Sequence, residues 1–190
     1  VFEREMRAGG LPFIQTLEPK AYYVYIPYKD QSGMPNFESG LQDINFATIF
    51  TENQFSGQDR INDANQLTFG ASSRFIDAGS GIERLRFALA QRYYFQPQRV
   101  TVLGVPPRAS DRNSSDLLAT FGGNIAKNWS AAVGWQYNTD LKQTQKFNVS
   151  TRYQPQQGKV VNLAYRETIS ALRQVDFSTQ WLIDGRWTAV

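Results

Sequence analysis

The stretch Arg84-Leu85-Arg86-Phe87-Ala88-Leu89-Ala90-Gln91-Arg92-Tyr93-Tyr94-Phe95 decides how this chain folds. Its odd positions read Leu85, Phe87, Leu89, Gln91, Tyr93 and Phe95; its even positions read Arg84, Arg86, Ala88, Ala90, Arg92 and Tyr94. Successive side chains of a strand point to opposite faces. This period-2 pattern therefore predicts a β-strand with one oily face, broken only by Gln91, and one face carrying arginines.

The alternation recurs on either side. Leu67, Phe69, Ala71, Ser73 and Phe75 oppose Gln66, Thr68, Gly70, Ser72 and Arg74. Trp129, Ala131, Val133, Trp135 and Tyr137 oppose Ser130, Ala132, Gly134, Gln136 and Asn138. Phe147, Val149, Thr151 and Tyr153 oppose Lys146, Asn148, Ser150 and Arg152, and a further run follows from Gln174 to Ile183. The segment from Asp116 to Ala126 fits less well, because Leu118 falls on the polar face.

Composition narrows the choices. The 190 residues suffice for one ordinary domain. They are 41% hydrophobic with a mean hydropathy of −0.46, and no run reaches the ~18 apolar residues of a transmembrane helix. A spanning strand averages lipid-facing with lumen-facing residues, so a polar mean is compatible with a barrel. The formal charge of +3 is too mild to argue for nucleic acid. The chain has neither His nor Cys, which excludes His- or Cys-built zinc sites, Cys nucleophiles and Ser-His-Asp triads within it. The carboxylates show no pairing suited to general acid–base work. We expect no catalytic residue, no metal and no cofactor here, and a chain that is not an enzyme.

A soluble β-sandwich also alternates, with its apolar face turned inward. Three features favour a membrane wall. Most candidate strands run to about 10 residues, the span of a tilted transmembrane strand, against about 5–6 in soluble sheets. Connections alternate in kind: short at Ala8–Leu11, Asp77–Ile82, Lys127-Asn128, Pro155–Gly158 and Asp184-Gly185, and long on the other side at Lys29–Asp63 and Gln96–Ser114. Leu141–Thr144 and Ile169–Arg173 on that second side are shorter. Short periplasmic turns and longer outer loops are the barrel pattern. Finally, Trp129, Trp181 and Trp187 lie beside tight turns, with only Trp135 further along its strand, while Tyr22, Tyr23, Tyr25, Tyr28, Tyr93, Tyr94 and Phe95 gather near the long loops. Two aromatic rims match two water interfaces.

The predicted fold is all-β, an antiparallel transmembrane β-barrel segment. It has about eight full strands and a part-strand at each end, forming an arc of a larger barrel. Residues 1–190 read as a single segment cut at both ends, so the missing signal peptide carries no information.

Several positions stand out as site candidates. Arg74, Arg84, Arg86, Arg92, Lys146 and Arg152 fall on the polar, lumen-facing side. They read either as an electrostatic guide for an anionic substrate or, at about two to one, as ordinary charges of a wet lumen or contacts to a plug. Asp59, Arg60 and Asp63, late in the first long loop, read as loop anchors acting through an ion pair, at about three to one over a divalent-cation site. Pro19 lies inside an extended run and predicts a local bulge. Pro106-Pro107 reads as a rigid turn with no chemistry.

Three blocks resemble one family. They are Gln15-Thr16-Leu17-Glu18-Pro19-Lys20 with Tyr22 to Ser32, then Phe55 to Thr68 continuing into Gly70 and Ser73-Arg74-Phe75, then Glu83-Arg84 through Gln91-Arg92-Tyr93-Tyr94-Phe95. In order and spacing these are similar to LptD, the outer-membrane LPS-assembly (organic solvent tolerance) family. The resemblance implies a very large barrel in the cell outer membrane of a Gram-negative bacterium. It implies a plug lipoprotein, LptE, and lipopolysaccharide delivered by a periplasmic bridge of jelly-roll domains. It also implies sideways release of the lipid into the outer leaflet between the first and last strands. On this reading the segment is wall and extracellular loop; the jelly roll, the gate strands and the family's disulfide cysteines lie outside it. The alternative is a generic porin or substrate channel, which shares the alternation but not the three blocks. An outer-membrane lipase or protease barrel would need its nucleophile and base elsewhere.

Overall fold

The computed structural model describes residues 1–102, 104, 112–184 and 186–190. Ten strands run in chain order: β1 Phe2–Ala8, β2 Leu11–Ile26, β3 Ala64–Asp77, β4 Glu83–Tyr94, β5 Leu117–Ala126, β6 Trp129–Asn138, β7 Gln143–Gln156, β8 Lys159–Thr168, β9 Leu172–Leu182 and β10 Thr188–Ala189. They form one open antiparallel sheet in that same order. Eight long strands between two short ones is the architecture the alternation predicts. Among the described residues no helix is long and apolar enough to cross a membrane; this has no bearing on crossing by strands.

The turns follow from a few residues. Lys127-Asn128 joins β5 to β6 with Asn128 at φ 66°, and Gln157-Gly158 joins β7 to β8 with Gly158 at φ 78°. Two-residue hairpins favour such left-handed positions because the turn then matches the strand twist. The second turn is narrower than Pro155–Gly158, since β7 continues to Gln156. The β7–β8 register shifts between Tyr153 and Gln156, which leaves Pro155, lacking an N–H, in a bulge rather than a regular pair. The β6–β7 connection begins earlier than expected because the Asn138 side chain starts it: its Oδ1 accepts from the amides of Asp140 (3.1 Å) and Leu141 (2.8 Å). Asp77 does the same for Gly79 and Ser80 after β3. No shift interrupts the β1–β2 register, which ends at Leu17; Pro19 lies beyond it inside a continuous β2. Pro106-Pro107, and Gly185 of the Asp184-Gly185 turn, lie outside the described residues.

The chain divides into two compact units. The first comprises Val1–Pro19, Ala71–Leu89 and Ala119–Val190. Its registered strands keep their faces consistent. Val133, Val149, Tyr165 and Val175 line up across β6 to β9, and the neighbouring row is Ala132, Ser150, Ala164 and Asp176. Each row belongs wholly to one face, so a one-residue slip would exchange the two. Trp129 packs on Tyr153 at 4.7 Å between ring centroids, and the Lys159 ammonium lies 5.2 Å from the Trp181 ring. This is the aromatic rim beside the tight turns.

The second unit comprises Lys20–Gly70 and Ala90–Leu118. The long connection between β2 and β3 folds here into an ordered layer. Asn45 caps a single turn, its Oδ1 accepting from the amides of Ala47 (2.8 Å) and Thr48 (3.2 Å). That turn places Phe46, Ile49 and Phe50 at helical spacing, on one side. Ile49 is fully buried against Ala90 and Leu118, with Ile44, Phe46 and Phe50 around it. Leu118 breaks the alternation because this loop covers it. A second small core joins Phe55 to Val100 and Val102.

Candidate functional site

In β3 and β4 the usual burial order is inverted. Gln66, Thr68 and Arg92 are at most 1% exposed, while Phe69 is 55% and Leu89 53% exposed. A water-soluble core hides its apolar side chains and leaves arginine outside. Here the even face turns toward packed polar groups and the odd face toward a surrounding that must be oily.

Arg92 shows how the inverted face is used. Its Nε donates to Thr68 Oγ1 (3.2 Å), and its Nη2 reaches the carbonyls of Ile49, Thr51 (3.3 Å) and Thr48 (3.5 Å). These carbonyls belong to the Asn45-capped turn and its exit. The guanidinium therefore clamps the loop segment that also presents Ile49. Two of the seven aromatics predicted near the long loops take part: Tyr94 is buried with its hydroxyl on Gln54 Oε1 (3.4 Å), and Tyr22 bonds Glu52. Tyr23, Tyr93 and Phe95 face the other way and pack together. Strand parity explains the division, since neighbours in sequence cannot share a face.

The other basic candidates belong to the first unit, each with partners of its own there. Arg74 Nη2 lies 2.5 Å from Glu18 Oε1, with Thr16 Oγ1 donating to the same oxygen at 3.1 Å. Arg84 pairs with Asp77 at 3.3 Å, and Arg86 with Glu83 at 3.0 Å. Arg152 hydrogen-bonds Gln154 Oε1, and Lys146 stands opposite Gln136 and Thr168 in the ladder.

Asp59, Arg60 and Asp63 sit together in the second unit, but their hydrogen bonds run mainly to backbone. Asp59 Oδ2 accepts from the amides of Phe37 and Glu38, each at 2.8 Å. Those two amides hold its carboxyl below the ordinary aspartate value, Glu38 contributing most. Arg60 is buried and donates to the carbonyls of Met34 (2.6 Å) and Pro35 (3.2 Å). Asp63, 1% exposed, accepts from the amides of Arg99 (2.8 Å) and Val100 (2.9 Å). The Arg99 guanidinium is at 3.9 Å from Asp63 and lies over the Tyr28 ring.

Uncharged residues that sequence reasoning passed over close the same loop. Asn53 Oδ1 accepts from the Asn62 amide (3.1 Å), and its Nδ2 donates to the Arg60 carbonyl (2.9 Å). Asn62 Oδ1 accepts from the Gln54 amide at 2.6 Å. Gln31 exchanges two bonds with the backbone of Ile61. Their only trace in the sequence is the density of Asn, Gln and Ser between positions 31 and 62.

An open antiparallel sheet with apolar residues outward, buried polar residues on the opposite face, and an ordered loop held to that face is the wall of a transmembrane β-barrel. The comparisons with known proteins then decide which one. The family model described as "LptD: LPS transport system D" matches residues 1–187, and the chain belongs to this family. It is 49% identical over 187 residues to the LPS-assembly protein LptD of Thiobacillus denitrificans, covering 98% of this chain and 25% of that protein. Against the proteins of that name from Aromatoleum aromaticum and Nitrosomonas eutropha it is 44% identical, covering 100% and 98% of this chain but 24% and 25% of theirs. The chain thus spans about a quarter of the length of the curated relatives it matches.

Proposed function

We propose that this chain is a stretch of outer-membrane barrel wall and extracellular loop in the apparatus that assembles lipopolysaccharide into the outer leaflet. The family match over residues 1–187 carries the reading, and the inverted faces of β3 and β4 agree with it. A generic porin shares those faces but has no reason to share the family's sequence. The proposed partners are those of the family: lipopolysaccharide, the plug lipoprotein LptE and the periplasmic bridge. The assignment is to assembly and transport rather than to catalysis.

Within this function the basic residues serve as wall and loop fixtures rather than as a charged track for sugar-phosphate. What supports this is that Arg74, Arg84 and Arg86 each lie in an ion pair and Arg92 lies beneath the loop. Asp59, Arg60 and Asp63 are proposed as anchors of the 27–63 loop. The function is tested by depleting the complete protein in its host and following newly made lipopolysaccharide. Loss of its arrival at the outer leaflet is expected; normal arrival would remove the proposal.

A further inference from the structure

Arg92 is the largest fully buried side chain among the described residues, and no carboxylate pairs with it there. The main-chain carbonyls around Nη2 offset part of its charge. The Tyr94 hydroxyl, next along the same face, also supports the guanidinium, but the Nη1 atom itself has no hydrogen-bond partner of ordinary geometry. A second buried donor, Gln66 Nε2, is also unpartnered. Gln66 and Thr68 are two apart on the inward face of β3, and Arg92 and Tyr94 two apart on that of β4. Gln54 covers them from the loop, donating to Gln66 Oε1 and accepting from the Tyr94 hydroxyl, both at 3.4 Å. The result is a buried polar cluster with a formal positive charge, linked through Gln54 and Thr68, that holds two donors without a partner.

An isolated buried charge is destabilising by several kcal/mol unless it is paired, and an unsatisfied buried donor adds to that. A water molecule would accept from both donors but bring two hydrogens of its own that need acceptors. A monatomic anion accepts from both, adds no donor and supplies the missing charge.

We propose that this patch holds a small monovalent anion of the halide class, bound by Arg92 Nη1 and Gln66 Nε2. It is the counterion that fastens the 27–63 loop to β3 and β4. This goes beyond the lipopolysaccharide reading and does not depend on it.

The test uses the complete protein in detergent, with chloride replaced by bromide for anomalous diffraction and by gluconate at equal ionic strength for comparison. One bromide peak between the two donors is expected. Protection of the loop from protease should rise saturably with halide and be lower in gluconate. Gln66→Leu should weaken that halide dependence about tenfold, the worth of one hydrogen bond to a charged group. Gln66→Glu supplies a carboxylate in place of the ion, so it should fold and protect the loop equally well in halide and gluconate. Density without anomalous signal, a Gln66 carbonyl turned onto Arg92, or an unchanged halide response in Gln66→Glu would each overturn the proposal.

Discussion

Gly123 is a position where one methyl group decides whether two strands can meet. It lies in β5 at φ +149°, and a Cβ built on it runs into the Arg84 carbonyl of β4. Nearby, Asn124 Nδ2 donates to the Glu83 carbonyl at 3.3 Å. Side chains rarely adopt this φ, and the obstruction is backbone, which cannot swing aside. Gly123→Ala should lower the unfolding free energy by about 2–3 kcal/mol, from backbone strain plus overpacking. The neighbouring Gly122 is the control: a Cβ there would sit 3.4 Å from the Ala131 carbonyl without positive φ. Gly122→Ala should stay within about 0.5 kcal/mol. Denaturant titration of both variants in detergent checks this, and equal losses would refute the close-approach argument. Nothing in the sequence singles out Gly123, since glycine is common in strands that bend or bulge, and only the neighbouring backbone reveals the contact.

At the scale of the element, the 27–63 loop is the part sequence reasoning read least well. Its length and polarity were plain, and Asp59, Arg60 and Asp63 were visible as charges. Their partners were not, because backbone amides and carbonyls leave no mark in a sequence. Leu118 was visible only as an exception to alternation, and Ile49 is the reason for it. The strands, in contrast, were legible almost to the residue: period 2 is set by covalent geometry, and a lipid-facing wall enforces it over ten or more positions. The loop's acid response follows from Asp59. Its folded pKa is lowered by the amides of Glu38 and Phe37, so the bonds contribute fully above the ordinary value of 3.8 and are lost as pH falls through the lower folded value. Protection of the Phe37 and Glu38 amides, corrected for the intrinsic exchange rate at each pH, should therefore fall in that acid window. In Asp59→Asn the step should vanish, and a step of unchanged size would show that another group carries it. The wall makes a different prediction. Val149 and Ser150 are neighbours in the middle of β7, on opposite faces. Val149→Arg should destabilise by about 2–4 kcal/mol, the range for a cation on the lipid face near the midplane. Ser150→Arg should be tolerated to within about 1 kcal/mol, because its row, Ala132, Ser150, Ala164 and Asp176, has small side chains and belongs to the lumen-facing side. Similar losses at the two sites would contradict the assignment of faces.

For the whole molecule the alternation has a consequence that parity alone settles. Every strand that crosses the membrane carries the chain to the other side. Five strands, β3 to β7, separate the 27–63 loop from the Gln157-Gly158 turn. An odd number of crossings puts these two connections on opposite sides. One further strand, β8, brings the chain back, so the Ser170 turn shares the side of the loop. The chain contains no cysteine, so a single introduced thiol in this segment reports one place. Gln58 and Gln157 are exposed and lie in connections rather than strands. In intact cells an impermeant maleimide should label Gln58→Cys and Ser170→Cys, whereas Gln157→Cys should react only after the outer membrane is opened. This pattern needs an odd number of crossings among β3 to β7 and a crossing by β8, so it tests the alternation of the sheet rather than any one hairpin. Labelling of Gln157→Cys in intact cells alongside Gln58→Cys would mean that the strands do not cross. A soluble sandwich would then be the better account of the same alternation.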